Sequence, residues 1–537
     1  MKKRMLAWIL ASLTILSLLA GCGGKDTSTP SNGSDPASGS TPNAASDPSG
    51  SEEPKVLKIG ISADLMTLDP QAHAHNSTDN MFQMIGVRLF RRANDMSLVP
   101  TIVTEYEIVD DTTWKMTIRD DVVFSNGDPL TAADVKFTLE REATDASLVE
   151  NNFWKGIKDV EVIDDHNFYI HTFDAKPDLL SLLAKSGGDI MPSKYIEEVG
   201  MDEYIKDPIM AGQYKLKEWI PNDHFTLIRN DLYYGDAGIW DEIVFRPIPE
   251  SSTRVSELLT GGVDIIDNVP PNEWERINTS ENDHMVTGDP SRILLLNIRC
   301  TEGSVTADPK VREAIELAID KEQICDELLQ GAGTPTRTRV GSGVTGFNWD
   351  LFGPEKGNLY NPERAKELLA EAGYPNGGCP VTYTAGRGRS LMDSEIAQMC
   401  AAMLTAVGFD VNLQIVDGSV LSDIWSSKTN EEIIQIALSD SQYDAAYPLI
   451  HYGDFNRVAG LTDYDNKECQ ALYESALVNM DLEERAKQME EIQAIAAEDR
   501  PHVCIAQQKA LFGVSNKIQF SPRMDDFYIP NEITPAD

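Results

Sequence analysis

The chain has 537 residues and a formal charge of −40, from 86 acidic and 46 basic side chains. Such a field repels nucleic acid and anionic lipid surfaces, so neither is expected as a ligand. A chain of this length and mixed composition exceeds a single ordinary core, and at least two lobes are expected.

The N-terminus opens on Met1-Lys2-Lys3-Arg4, followed by an almost wholly apolar run from Met5 to Ala20. The run is too short to span a bilayer and ends in small residues, so it reads as a cleaved export signal. Leu19-Ala20-Gly21-Cys22 resembles the bacterial lipobox, which makes Cys22 the expected site of lipidation and the new N-terminus over residues 1–22. Two acyl chains on one residue give stable anchoring where one is marginal. Residues 23–55 are mostly Ser, Gly, Pro, Thr, Ala, Asn and Asp with almost nothing apolar, a composition that cannot bury a core. Such a leash reaches roughly 30 Å. It holds a globular body near the outer face of the cytoplasmic membrane, an extracytoplasmic location that is periplasmic in a source with an outer membrane.

Beyond the leash, α and β patterns are intermixed. Leu57, Ile59 and Ile61 alternate as a strand does, and so do Trp114, Met116 and Ile118, before a turn at Asn126-Gly127-Asp128. Thr131 with Asp134 signals a helix start. Asp308-Pro309 opens another, with Val311, Ala314, Ile315, Ala318 and Ile319 on one face and Gly331 as its stop; Asn361-Pro362 opens a third that ends at Gly373. Asp393 to Val407 keeps helical spacing and leads through Gly408 into an alternating Val411, Leu413 and Ile415, a helix-to-strand unit of an α/β lobe. The last long helix is expected from Asp481, with Glu484 closing a capping box and Leu482, Met489, Ile492 and Ile495 turned inward. Besides Cys22 there are Cys300, Cys325, Cys379, Cys400, Cys469 and Cys504, none in a CxxC pair; disulfides and single buried thiols both fit.

Four blocks then carry a resemblance. They are Thr67-Leu68-Asp69-Pro70 with Leu98-Val99-Pro100 and the run Phe124 to Val135; Gly212-Gln213-Tyr214 with Arg229-Asn230 and Tyr233-Tyr234; Asp308 to Asp320; and Tyr360-Asn361-Pro362 through Gly373-Tyr374. In order and spacing the chain resembles the family 5 extracellular solute-binding proteins, which feed oligopeptide, dipeptide and nickel ABC importers. Gln213 and Tyr234 depart from it, where proline and tryptophan are common. The resemblance implies an α/β, two-lobed periplasmic-binding-protein-like fold (type II, cluster C-like) that closes over its ligand. Lobe I would span 56–295 with an extra subdomain at about 91–205, lobe II 296–505, and 506–537 would return to lobe I. The main crossing is expected near Ile293 to Arg299 and the return near Ala506 to Phe512. The resemblance further implies a monomer without cofactor, working with the permease subunits of an importer.

In peptide-binding relatives an aspartate late in the second lobe pairs with the ligand's free α-amino group. The matching stretch runs Ile436 to Asp444, where Asp440 is the first choice, Asp444 the second, and Tyr443 a neighbour in the same segment. The family's tryptophan is missing here, and the local spacing is one residue longer. Arg387 and Arg389, among glycines after a strand-like run, could take a ligand carboxylate bidentately. Rival ligands are a metal or metal chelate, on His73 and His75, and an oligosaccharide, for which Trp154, Trp349 and Trp425 are candidate platforms. A secreted hydrolase finds no HExxH, no GxSxG and no nucleophile elbow. Gly341 to Gly346 fits GxGxxG, but Gly353-Pro354 follows too soon for the helix that dinucleotide binding needs. A binding protein, not an enzyme, is the expectation.

Overall fold

Leu57, Ile59 and Ile61 are all buried, and the strand they form, Val56–Ile61, lies inside a seven-stranded sheet of the computed structural model, which describes residues 54–387 and 390–536. Cys22, the signal, residues 23–53 of the leash and Arg389 lie outside the described residues. The sheet runs in the order Asp283–Gly288, Ala510–Ser515, Ile265–Ile266, Val56–Ile61, Glu242–Pro247, His224–Arg229, Tyr214–Ile220. Val56–Ile61 is parallel to both of its neighbours and the remaining pairs are antiparallel.

A second sheet of six strands has the order Gly333–Pro335, His502–Gln508, Ile293–Ile298, Ile433–Leu438, Cys379–Arg387, Phe409–Asp417. The apolar run Ile293-Leu294-Leu295-Leu296 is explained by its central place: Leu294 and Leu296 pack into one core, Ile293 and Leu295 into another on the opposite face. A third, antiparallel sheet, Val103–Asp110, Thr113–Ile118, Asn167–Thr172 and Ile157–Val162, has its own core with Trp114, Phe168 and Trp154. Mixed parallel sheets with separate cores make an α/β architecture of two lobes, one carrying a smaller antiparallel sheet.

The chain passes from the first large sheet to the second through residues 289–292, between strands Asp283–Gly288 and Ile293–Ile298, and returns through Lys509. The forward crossing thus precedes the expected Ile293 to Arg299, whose apolar run is already the core strand of the second sheet. An irregular crossing has no ladder to satisfy its backbone, which is why polar Asp289-Pro290-Ser291-Arg292 occupies it.

Local start signals act as their chemistry dictates. Thr131 and Asp134 form a capping box at helix Ala132–Thr144. Asp308 caps Pro309–Ala318 and Asn361 caps Pro362–Glu371 through side-chain oxygens. The first of these two helices stops at Ala318 and not at Gly331, because Asp320 accepts from the Gln323 amide and caps a new turn. Asp481 caps Leu482–Asp499, but its own amide donates to Asn479 Oδ1, so the expected return bond from Glu484 is replaced. Leu482 is exposed rather than inward, since the buried stripe is Arg485, Met489, Ile492 and Ala496. Cys325, Cys379, Cys400, Cys469 and Cys504 are buried free thiols and Cys300 is a half-buried one. No helix among the described residues is long and apolar enough to cross a membrane.

Much of the Asp69-Pro70 and Gly212 signature is structural. Asp69 accepts from both Arg141 η nitrogens at 2.7 and 3.1 Å, tying the first loop to helix Ala132–Thr144. Gly212 passes so close to Ile85 that a Cβ would lie 2.3 Å from its carbonyl carbon, and only glycine fits.

Candidate functional site

Segments from both large sheets and the crossing between them meet around a cavity of about 390 Å³. One wall comes from the first lobe, with Asp79, Arg88 and Arg92; Glu150 and Lys185 join from the chain around the small sheet. Pro290-Ser291-Arg292 of the crossing forms a second wall, and Ser439 to Tyr447, beyond strand Ile433–Leu438, a third. Residues 523–527, shortly before the C-terminus, close it. A space of that size holds a small organic solute largely removed from water.

Most cations around the cavity are already neutralised. Arg88 donates to Asp189 at 3.0 Å, Lys185 pairs with Glu150, and Arg523 with Asp525 at 2.7 Å and with Glu532. Two carboxyls lack an equivalent partner. Asp440 is buried; its Oδ1 accepts the amides of Gln442 and Tyr443 at 2.8 and 3.0 Å, whereas Oδ2 is buried with no partner at all. Burial pushes its carboxyl up to about 7 against the pull of those two amides. Asp526 is likewise pushed up to about 7 by burial; its nearest cation, Arg292, stands 3.9 Å away and its Oδ1 has no partner. Asp79 is also driven upward by burial. Asp440 Oδ2 and Asp526 Oδ1 thus stand in the cavity lining without a hydrogen-bond partner among the described residues. A cation able to donate hydrogen bonds would both pair with Asp440 and restore its ordinary ionisation.

The turn that carries Asp440 is fixed by local contacts. Asp440 Oδ1 gathers the Gln442 and Tyr443 amides of its own turn, and Tyr443, at the end of that turn, has a left-handed backbone with φ of 54°. Arg92 lies over the Tyr443 ring at 5.1 Å and donates to the Gln442 carbonyl at 2.5 Å, so a first-lobe arginine braces a second-lobe turn. Gly341, the first glycine of the GxGxxG run, packs against the crossing, where a Cβ would sit 2.6 Å from Ser291 Cα. That run is a loop behind the crossing, followed by a short 3-10 turn, Trp349–Leu351, and a single helical turn, Pro354–Gly357.

The remaining expected residues are placed differently. Asp444 gives both oxygens to Arg485 at 2.7 Å and Oδ1 also accepts from the Ala446 amide, so this buried carboxylate is fully occupied away from the cavity. Arg387 is exposed at the end of Cys379–Arg387 and pairs with equally exposed Asp417. Trp425, on helix Gly418–Ser427, lines a smaller cavity of about 80 Å³ that shares Ser439, Asp440 and Tyr447 with the large one. Trp154 is fully buried in the small-sheet core and Trp349 is exposed, so neither lines the cavity. His73 is buried, stacks on Phe82 and is pushed down to about 4 by burial, while its Nδ1 faces the His75 amide at 3.4 Å and Asp79 at 3.6 Å. Among the described residues no set of three His, Cys, Asp or Glu is placed to share a metal ion. Arg92, at the end of strand Phe90–Arg92, Tyr447, on helix Ala446–Gly453, and Asp526, in the loop before the C-terminus, escaped the sequence reading because no local pattern marks them and only the fold brings them to one cavity.

Comparison with known proteins agrees with the fold. The family model for bacterial extracellular solute-binding proteins, family 5 (middle), matches residues 97–457. The chain is 24% identical over 487 residues to the glutathione-binding protein GsiB of Salmonella typhi, covering 86% of this chain and 91% of that one. Its fold is similar to that of the ABC transporter-associated periplasmic binding protein DppA of Helicobacter pylori in complex with the peptide STSA: TM-score 0.72, 21% identity, covering 90% and 98% of the two chains. It is also similar to NikZ of Campylobacter jejuni in complex with Ni(L-His), with a TM-score of 0.72, 18% identity and coverage of 89% and 99%.

Proposed function

This chain belongs to family 5 of the bacterial extracellular solute-binding proteins, the substrate-binding components of ABC importers, and we propose that its solute is a short peptide held through its free α-amino group by Asp440. As a member of that family it binds and hands over its solute and is not an enzyme. The observation that carries the peptide reading is the buried Asp440 Oδ2, which lines the cavity without a partner. A desolvated ammonium needs an opposite charge with hydrogen bonds, and a buried carboxylate needs the same in return. Relatives named for glutathione and for a bound tetrapeptide support the class. A nickel complex in NikZ does not carry over as readily, because the histidines near the cavity, His73 and His75, are not joined by further metal ligands among the described residues.

The proposed working cycle is closure of the two lobes on the crossing at residues 289–292 and on Lys509, with water excluded from around the ammonium. The proposed location is the outer face of the cytoplasmic membrane, through lipid on Cys22 and the leash to about residue 55. Cys22→Ala should then release the protein into the medium, and retention in the membrane fraction without lipid labelling would overturn the anchor. Mass spectrometry of what is released on denaturing gently purified protein tests the ligand class: short peptides are expected, and a recovered sugar or metal complex would refute the reading.

A further inference from the structure

The small cavity behind Asp440 contains a cation that the peptide reading leaves unused. Arg339 lies on the loop after strand Gly333–Pro335, is 5% exposed, and its Nε and Nη1 are buried without any hydrogen-bond partner. It lines the cavity of about 80 Å³ together with Asp440, Trp425, Tyr447, His451 and Arg457. Asp440 is the only acidic residue of that lining, in a chain where acids outnumber basic residues 86 to 46. The other groups packed around it are neutral or positive. Arg457 is exposed at the end of helix Phe455–Val458, Lys428 Nζ donates to the Asn456 carbonyl, and His451 has its Nδ1 unpartnered. Burial and the neighbouring arginines hold His451 well below the usual imidazole range, so it stays neutral. Burial likewise pulls Arg339 downward, with Arg457 adding to it, which marks a guanidinium lacking its anion.

Buried guanidinium groups in folded proteins are paired, because an uncompensated one is costly. Among the described residues no carboxylate pairs with Arg339: Arg485 takes Asp444, and Asp440 spends Oδ1 on two amides of its own turn. The cavity itself has several times the space a single water needs, roughly 10–15 Å³ by the same kind of measure. It also adjoins the position of the ligand's ammonium, since Asp440 lines both cavities.

We infer that Arg339, with Arg457 at the rim, forms an anion subsite for a carboxylate carried on the N-terminal residue of the bound peptide, in the small cavity that Asp440 also lines. The inference rests on the peptide reading above and narrows it to peptides that present both charges at the same end. Two sources supply that chemistry: the side chain of an N-terminal acidic residue, and the free α-carboxylate of a γ-linked glutamate. The Trp425 indole and the Pro448 ring supply an apolar wall for the intervening methylenes, and Arg339's planar fork suits bidentate carboxylate binding.

Titration calorimetry of the wild-type protein with Glu-Ala-Ala, Gln-Ala-Ala and γ-Glu-Ala tests this without a variant. At least one of the two carboxylate-bearing peptides is expected to bind about tenfold or more tighter than Gln-Ala-Ala, the range for hydrogen bonds to charged groups. Whichever does so identifies the source. Arg339→Met should abolish the preference while leaving Gln-Ala-Ala within about threefold. Arg457→Gln, at an exposed site where folding is not at stake, should reduce it partly. Should Gln-Ala-Ala bind as well as both others, the anion subsite is refuted and the peptide reading stands. Should none of the three bind, the peptide reading itself fails and takes the subsite with it.

Discussion

Ser291 and Asp440 exchange two hydrogen bonds: the serine hydroxyl donates to the Asp440 carbonyl at 3.0 Å and accepts from the Asp440 amide at 3.1 Å. Ser291 belongs to the crossing between the two large sheets, and Asp440 to the turn that faces the cavity, so that turn is fastened to the crossing itself. Ser291→Ala leaves that buried amide and carbonyl without partners and is expected to cost about 1–3 kcal/mol in urea unfolding. It should also weaken peptide binding several-fold. Unchanged stability and affinity would show that the crossing does not hold the anchor turn.

The free protein carries a stability cost at Asp440. Burial lifts its folded pKa to about 7, above the unfolded value near 4. The stability this carboxyl contributes is therefore complete below about pH 4 and is lost as pH rises through about 7. Asp440→Asn keeps an acceptor for the two turn amides and removes the charge. The ligand-free variant is expected to be more stable than the wild type at pH 8, by about 1–3 kcal/mol after the cost of an unpaired amide N–H. The gain should vanish at pH 4.5. A variant less stable than wild type at pH 8 would contradict the uncompensated charge.

Binding should follow the opposite slope. Below about pH 7 Asp440 must lose a proton before it can pair with an ammonium, so affinity for a free-amino peptide falls by about tenfold per pH unit as pH drops from 7 to 5. Calorimetry across that range reads the slope. Asp440→Asn should flatten it; a slope that persists in the variant would move the titrating group to Asp526, whose carboxyl is also pushed up to about 7.

Asp444 and Arg485 make a buried, bidentate pair that fixes the end of the segment carrying Asp440 to helix Leu482–Asp499. Arg485→Met strands the carboxylate and is expected to destabilise by about 3–5 kcal/mol, since breaking one side of a buried pair leaves a bare charge. Discrimination between free and N-acetylated peptides should survive in whatever fraction remains folded. Loss of that discrimination with unchanged stability would make Asp444 a ligand contact.

The parts of the fold legible in the sequence are those written in local chemistry. Side-chain caps at Asp308, Asn361 and Asp481, and the alternation of Leu57, Ile59 and Ile61, act within one turn or strand and need no partner to be read. The stop at Ala318 was missed because the periodic face continues through Ile319, and only the competing cap at Asp320 ends it. The crossing was displaced by a similar effect: the strongest apolar run near it, Ile293 to Leu296, is what a central strand buried on both faces looks like. At the site, the matching stretch offers two aspartates, and what sets them apart, the pairing of Asp444 with Arg485, lies 41 residues beyond Asp444. Arg339 carried no signal, because a guanidinium without its anion is visible only once its surroundings are.

The most direct measurement is a double-mutant cycle by titration calorimetry at pH 8, with Ala-Ala-Ala and its N-acetylated form against the wild type and Asp440→Asn. The account predicts that acetylation and the substitution each weaken binding by about a hundredfold or more, and that the variant no longer distinguishes the two peptides. If the wild type binds both peptides within about threefold, as a solvated surface carboxylate would allow, then Asp440 does not hold an α-amino group and the central claim is wrong.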